Sequence, residues 1–317
     1  MDAVPYKFCH SVLDLLSTIP GSTQDFPEIW KEAVEDHQKY RETFAITVSM
    51  TTSGEISYLI ERQGTSFQDL LQKDLRYLRI CSFQVGTGML LSPETNTGHK
   101  ISYPEFLSAM LPFVMHQACD PTLFVLDSLC HPDILPEVLK FVLPVPTIRK
   151  LHLCYYGLET ETFLTQKLAS TTRLHLTLRD AWPQGIPICA AISDGNLSHA
   201  QLQSSGLRLN FRFFDAAFQF WQKSEGREHF EYCGMTDEHF DVRQIERMFR
   251  SLEVRTYKLD HEIHFENDGL FRLVFQFKPF HAYARIFASD EPLPPEALKS
   301  CDGCCGLACI CCNCVLS

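Results

Sequence analysis

The residues best suited to chemistry crowd one end of the chain. Seven of its 14 cysteines lie in residues 301–317, which read CDGCCGLACICCNCVLS. The last four residues, Cys314-Val315-Leu316-Ser317, have the C-a-a-X order: a thiol nucleophile, two aliphatic residues, and a terminal Ser of the kind read by farnesyl transfer. One prenyl chain holds a protein to a bilayer only marginally, at about 0.8 kcal/mol per buried CH2, so a second signal is expected. No Lys or Arg follows Lys299, which excludes a polybasic signal. Cys309, Cys311 and Cys312 are therefore candidate palmitoylation sites beside the candidate prenylation site Cys314.

Two other readings of the tail stay open. Cys301-x-x-Cys304 and Cys309-x-x-Cys312 have the form of metal-ligand pairs, but only four residues separate them. A zinc module normally uses a loop of about a dozen residues to bring two pairs round into a tetrahedron. A metal- or redox-active thiolate cluster is one alternative, and an unmodified disordered tail is the other.

Elsewhere the search for catalytic or cofactor motifs gives nothing. His261-Glu262-Ile263-His264 resembles H-E-x-x-H with the second His one position early, and in a strand residues three apart face opposite ways. Gly86-Thr87-Gly88 lacks the third glycine of a dinucleotide loop. Cys9-His10 and Cys130-His131 are neighbours in sequence only, each read as a core Cys beside a surface His. Phe214, Phe218 and Trp221 have helical spacing and read as core. The chain is expected to be non-catalytic, with no cofactor.

Composition narrows the class further. Hydrophobic residues make up 45% of 317, with 24 Phe, enough for a sizeable core. The net charge of -11 argues against nucleic acid and against unaided adhesion to anionic lipid, so membrane residence must come from the tail. The N-terminus lacks the basic start and apolar core of a signal peptide, and no run approaches about 18 apolar residues. The body cysteines Cys9, Cys81, Cys119, Cys130, Cys154, Cys189 and Cys233 read as reduced core residues of a cytoplasmic protein, so the sequon at Asn196 is expected to stay bare.

The elements that would carry these residues point to an α/β fold. Residues 1–98 read as a small α+β unit: a helix carrying Val12, Leu15 and Leu16, then a second with Asp25 as cap, Pro27 in its first turn and an end near Glu42. A hairpin alternating through Phe44–Met50 and Ile56–Ile60 follows, then a short helix over 66–72 and a strand over 77–85. Residues 99–290 read as irregular leucine-rich-repeat-like units. Helices over 104–117, 133–143 and 160–168 alternate with strands at 123–126, 150–153 and 173–176. The strand starts Leu123, Leu151 and Leu174 are 28 and 23 residues apart, near the period of such repeats, and a βαβ sheet of another kind is the alternative. The pattern decays after Asp180, where 181–197 reads as loose chain. An aromatic helix at 213–223, a short helical piece at 243–249, a hairpin around Asn267-Asp268-Gly269 and a strand at 283–287 complete the body. Residues 291–317 are a Pro-rich linker and the disordered cysteine-rich tail.

The opening Val4-Pro5-Tyr6-Lys7-Phe8-Cys9, the Trp30-Lys31-x-Ala33-x-Glu35-Asp36-His37 block, the Phe218-x-x-Trp221-Gln222-Lys223 helix and the terminal hairpin together resemble the nematode-expanded family with the F-box-associated domain. That resemblance implies a protein-recognition surface for a ligand it does not identify. It also implies, as an alternative, a substrate receptor of a cullin-type ubiquitin ligase that contacts the ligase adaptor. Of the F-box itself, the chain shows only an opening helix through residues 12–16.

Overall fold

Alternation of apolar and polar residues, the signal for a half-buried strand, is realised through most of the body. The computed structural model describes residues 5–16, 26–51, 53–62, 64–86, 98–127, 131–236, 243, 245, 255–259, 262–267, 271–278 and 283–289. The fold is mixed α/β, and the chain falls into two compact units, Met1–Phe163 and Leu164–Ser317.

The first unit opens with helices α1 (Tyr6–Leu15) and α2 (Glu28–Tyr40). They bury Cys9, Leu13, Ala33 and Val34 against one another, with Tyr6, Ile29 and Trp30 partly covered at the edge. Pro27 stands at the N-cap of α2, and the helix stops at Tyr40 because Glu42 already begins β1 (Glu42–Met50). β2 (Ile56–Ile60) returns antiparallel to β1, and β4 (His99–Ile101) pairs with the far side of β2. Helix α3 (Phe67–Leu71) begins at a capping box in which Ser66 and Asp69 satisfy each other's backbone N–H groups. The helical stretch expected over 104–117 is α4 (Tyr103–Glu105), a π-helical segment (Phe106–Met110) and α5 (Leu111–His116), with Ser102 capping its start.

Strands β3 (Leu78–Val85), β5 (Ala118–Leu126) and β6 (Ile148–Cys154) run parallel to β1, giving the order β6-β5-β3-β1-β2-β4. Helix α6 (Leu135–Val142) links β5 to β6, and α7 (Leu158–Ser170) follows. In register across the parallel strands, Ile46, Phe83, Phe124 and Leu151 form one buried row, and Val48, Val85, Leu126 and Leu153 the next. Phe163 of α7 packs edge-on against Phe124. At about 1.5–3 kcal/mol for each large side chain buried, these rows are the main stabilising element of the unit.

The second unit contains β7 (Leu174–Arg179), α8 (Ile188–Ser193), β8 (Leu197–Ser204), β9 (Arg208–Leu209), α9 (Phe211–Lys223) and β10 (Glu231–Thr236). Antiparallel strands β11 (Arg255–Leu259), β12 (Glu262–Asn267), β13 (Phe271–Lys278) and β14 (Tyr283–Ser289) follow. Their order is β11-β12-β13-β14-β10-β8-β7, with β9 on β10. The predicted hairpin is β12–β13, and β14 pairs beside it and with β10. Phe214, Phe218 and Trp221 of α9 are core, with Phe214 edge-on to Phe275 of β13.

Residues 181–197 are not loose chain. Pro183, Pro187 and Gly195 suggest a loop, yet α8 fits between them and β8 begins at Leu197, parallel to β7. Leu197 lies 23 residues after Leu174, so the strand–helix rhythm continues past Asp180. A six-residue helix is too short to show a periodicity in sequence. Of the helical piece expected at 243–249, only Arg243 and Ile245 are among the described residues, and both are helical.

Candidate interaction surface

A parallel sheet is usually covered on both faces and reads as continuous apolar strands. Here the parallel strands alternate instead, and among the described residues one face is sealed. In the first unit the other face carries the in-register rows Ala45–Ser82–Leu123–Lys150 and Thr47–Gln84–Val125–His152, every member part-exposed. In the second unit the rows are His175–His199–Glu231–Phe287, every member part-exposed, and Thr177–Gln201–Cys233–Arg285, in which Cys233 is buried. His175 and His199 stack with ring centroids 4.2 Å apart. Arg285 donates to Glu231 at 2.8 Å and lies over the Phe287 ring. Each unit thus presents a rigid array of one or two side chains per strand, mixed in polarity.

At the N-terminal ends of β1 and β3, a cleft of about 400 Å³ is lined by Tyr40, Glu42, Lys73, Asp74, Arg76, Tyr77 and Leu78. Its charges are already matched. Lys73 Nζ donates to both oxygens of Glu42, at 3.1 and 3.2 Å, and Arg62 reaches the same carboxylate. The Lys73 hydrogen bond holds the Glu42 carboxyl below its ordinary range. Arg76 donates to Asp74 at 2.5–3.1 Å and lowers that carboxyl in the same way. Tyr40 is 47% exposed at the rim, and Leu75 and Leu71 are exposed nearby at 42% and 41%.

Behind Tyr77 lies a buried polar cluster joining α1 to α2. His10 Nδ1 and His37 Nε2 share a hydrogen bond at 3.1 Å, and Tyr6 donates to Asp36 at 2.5 Å. Burial, then the Asp36 contact, raises the Tyr6 hydroxyl well above its ordinary range. Asp36 also lies 3.7 Å from His10 Nε2. His10 is therefore buried, correcting its expected surface position. Its environment is a histidine on another helix, a contact that no local spacing encodes. Tyr6 and His10 of α1 thus meet Asp36 and His37 of α2, and these contacts join the two helices.

The tail residues Cys309, Cys311, Cys312 and Cys314 lie outside the described residues, as do Cys130 and His261. His264 pairs opposite Val274 within the β12–β13 ladder. Among the described cysteines, Cys9, Cys154 and Cys233 are buried as expected of core thiols, whereas Cys81, Cys119 and Cys189 are half-exposed. Asn196 Nδ2 donates to the Leu168 carbonyl at 3.0 Å, tying that side chain to the protein. Among the described residues, no group of three or more His, Cys, Asp or Glu is arranged to hold a metal ion, and no helix is long and apolar enough to cross a membrane. In comparisons with known proteins, no family model, curated protein or solved structure matches this chain.

Proposed function

We propose that the protein is a non-catalytic recognition module of the F-box-associated type, and that its open sheet faces are the surfaces that bind a protein partner. The observation that carries this reading is the part-exposed row Thr47–Gln84–Val125–His152 on parallel strands, where a covered sheet would have apolar residues. Irregular repeats of leucine-rich type account for it. Each strand-and-helix unit buries its helix side against its neighbours and leaves its strand side for a ligand. The test is whether substitutions on the open face, and none on the helices, abolish partner binding.

Recruitment to the cytoplasmic face of membranes belongs to the same proposal and rests on the sequence alone: prenylation at Cys314, reinforced by acylation at Cys309, Cys311 or Cys312. Intact mass of the protein from animal cells tests it. A farnesyl increment with loss of the last three residues, absent in Cys314→Ser, supports the anchor; an unmodified mass removes it.

A second reading, the ubiquitin-ligase receptor, is favoured by one feature. Phe8 of α1 is 52% exposed and stands edge-on to Trp30 of α2, 6.3 Å between centroids. An exposed aromatic side chain backed by a partly buried Trp is a natural anchor for an adaptor. Co-precipitation of the ligase adaptor, lost in Phe8→Asp, would support it; no adaptor under gentle lysis would remove it.

A further inference from the structure

The open face of the first unit carries a charge at either end of one row and uncharged side chains between. Glu61, the residue after β2, donates its backbone N–H to the Ala45 carbonyl at 3.0 Å and so continues the β1–β2 register. Strand alternation sets its side chain opposite that of Ile60, which is buried with Ile46 on the sealed face. The row therefore runs Glu61–Ala45–Ser82–Leu123–Lys150, with Glu61 exposed and the others part-exposed. Leu59 pairs with Thr47 and lengthens the next row to Leu59–Thr47–Gln84–Val125–His152. To these two rows β1, β3 and β5 contribute only Ala45, Thr47, Ser82, Gln84, Leu123 and Val125.

The charged neighbours of the two end residues are already engaged. Arg62, beside Glu61, is bonded to Glu42, and Arg149, beside Lys150, lies 3.2 Å from Asp120. Among the described residues, neither Glu61 nor Lys150 takes part in an ion pair. The strand order β6-β5-β3-β1-β2 puts Glu61 and Lys150 four strand spacings apart. At about 4.8 Å for each spacing this is roughly 19 Å, the reach of about six residues of extended chain at ~3.3 Å each. A ligand of one sign throughout, such as a polyanion, would meet like charge at one end of the row. A peptide segment with opposite charges at its two ends would not. The hydroxyls of Thr47 and Ser82 and the amide of Gln84 offer its backbone donors and acceptors in between.

Resting on the reading of this face as the recognition surface, we propose that it takes an extended peptide segment of the partner laid across the strands. A basic residue of the segment sits against Glu61 and an acidic one against Lys150, about six residues away. The middle of the segment is uncharged. The two charges decide which end of the segment lies over β2 and which over β6.

The experiment selects phage-displayed random peptides on the full chain and keeps those whose binding is lost in Gln84→Glu, which marks them as open-face ligands. The retained peptides are expected to carry a basic and an acidic residue about six positions apart. Exchanging those two charges in a synthetic peptide should weaken its affinity for wild type by about three- to tenfold, and the loss should shrink as salt rises. The double variant Glu61→Lys, Lys150→Glu should instead prefer the exchanged peptide. The wild-type comparison decides the matter even if that variant folds poorly. Open-face peptides without the charge pair, or equal affinity for the original and exchanged peptides, would overturn the proposal and leave the recognition reading standing. Recovery of no peptide that depends on Gln84 would remove both.

Discussion

His10 Nδ1 and His37 Nε2, 3.1 Å apart and shielded from solvent, form a hydrogen bond that ties α1 to α2. One imidazole must donate and the other accept, so the contact sets complementary tautomers on the two helices. His37→Ala would leave His10 without this partner in a buried site. It should cost about 2–3 kcal/mol, read as a lower denaturant midpoint and faster proteolysis within α1. His37→Gln, which keeps a donor and an acceptor, should recover part of that loss.

Glu42 should make stability pH-dependent. Its carboxyl is depressed in the folded protein by Lys73, so its contribution is complete above the unfolded carboxylate range, about pH 4.3, and is lost as pH falls through the lower folded value. Glu42→Gln should reduce stability by about 0.5–1 kcal/mol at neutral pH, a value kept small by partial exposure. The gap to wild type should close below about pH 4.

Lys167 gives the opposite case. It is 1% exposed, and burial pushes its ammonium down to about 8. Below that value both states are protonated and the burial penalty is full. As pH rises from about 8 towards the unfolded value, about 10.4, the unfolded chain binds the extra proton and stability rises. Wild type should therefore gain stability relative to Lys167→Met as pH rises through this range. The difference should change between about pH 8 and 10, measured by denaturation of both proteins across that range.

Gly86 ends β3 against Asp127, and a Cβ placed there would stand 2.3 Å from the Asp127 Cβ. Gly86→Ala must push the ends of β3 and β5 apart. The expected cost is about 1–3 kcal/mol, and pairing with Asp127→Gly should restore much of it. Equal losses in the single and double variants would show that the contact is not the cause.

These features differ in how far the sequence discloses them. The hairpins β1–β2 and β12–β13 were legible because period-two alternation and turn residues are local, and α9 because its aromatic residues recur at helical spacing. Helix α8 was not, being six residues long and flanked by Pro187 and Gly195. The open face was half-visible. Thr47, Gln84 and His152 stand at alternate strand positions, but only parallel pairing turns them into a row. The buried His10 shows the limit from the other side, because burial there depends on His37, 27 residues away.

The measurement that bears most directly on the recognition account compares proteins co-purified from cells with three chains. These are wild type, an open-face variant carrying Thr47→Arg, Gln84→Glu and His152→Glu, and a helix-side control, Lys140→Glu on α6. The account predicts that the open-face variant, with unchanged circular dichroism, loses a partner that wild type and the control retain. Retention of every partner by the open-face variant, with loss from Lys140→Glu, would contradict it.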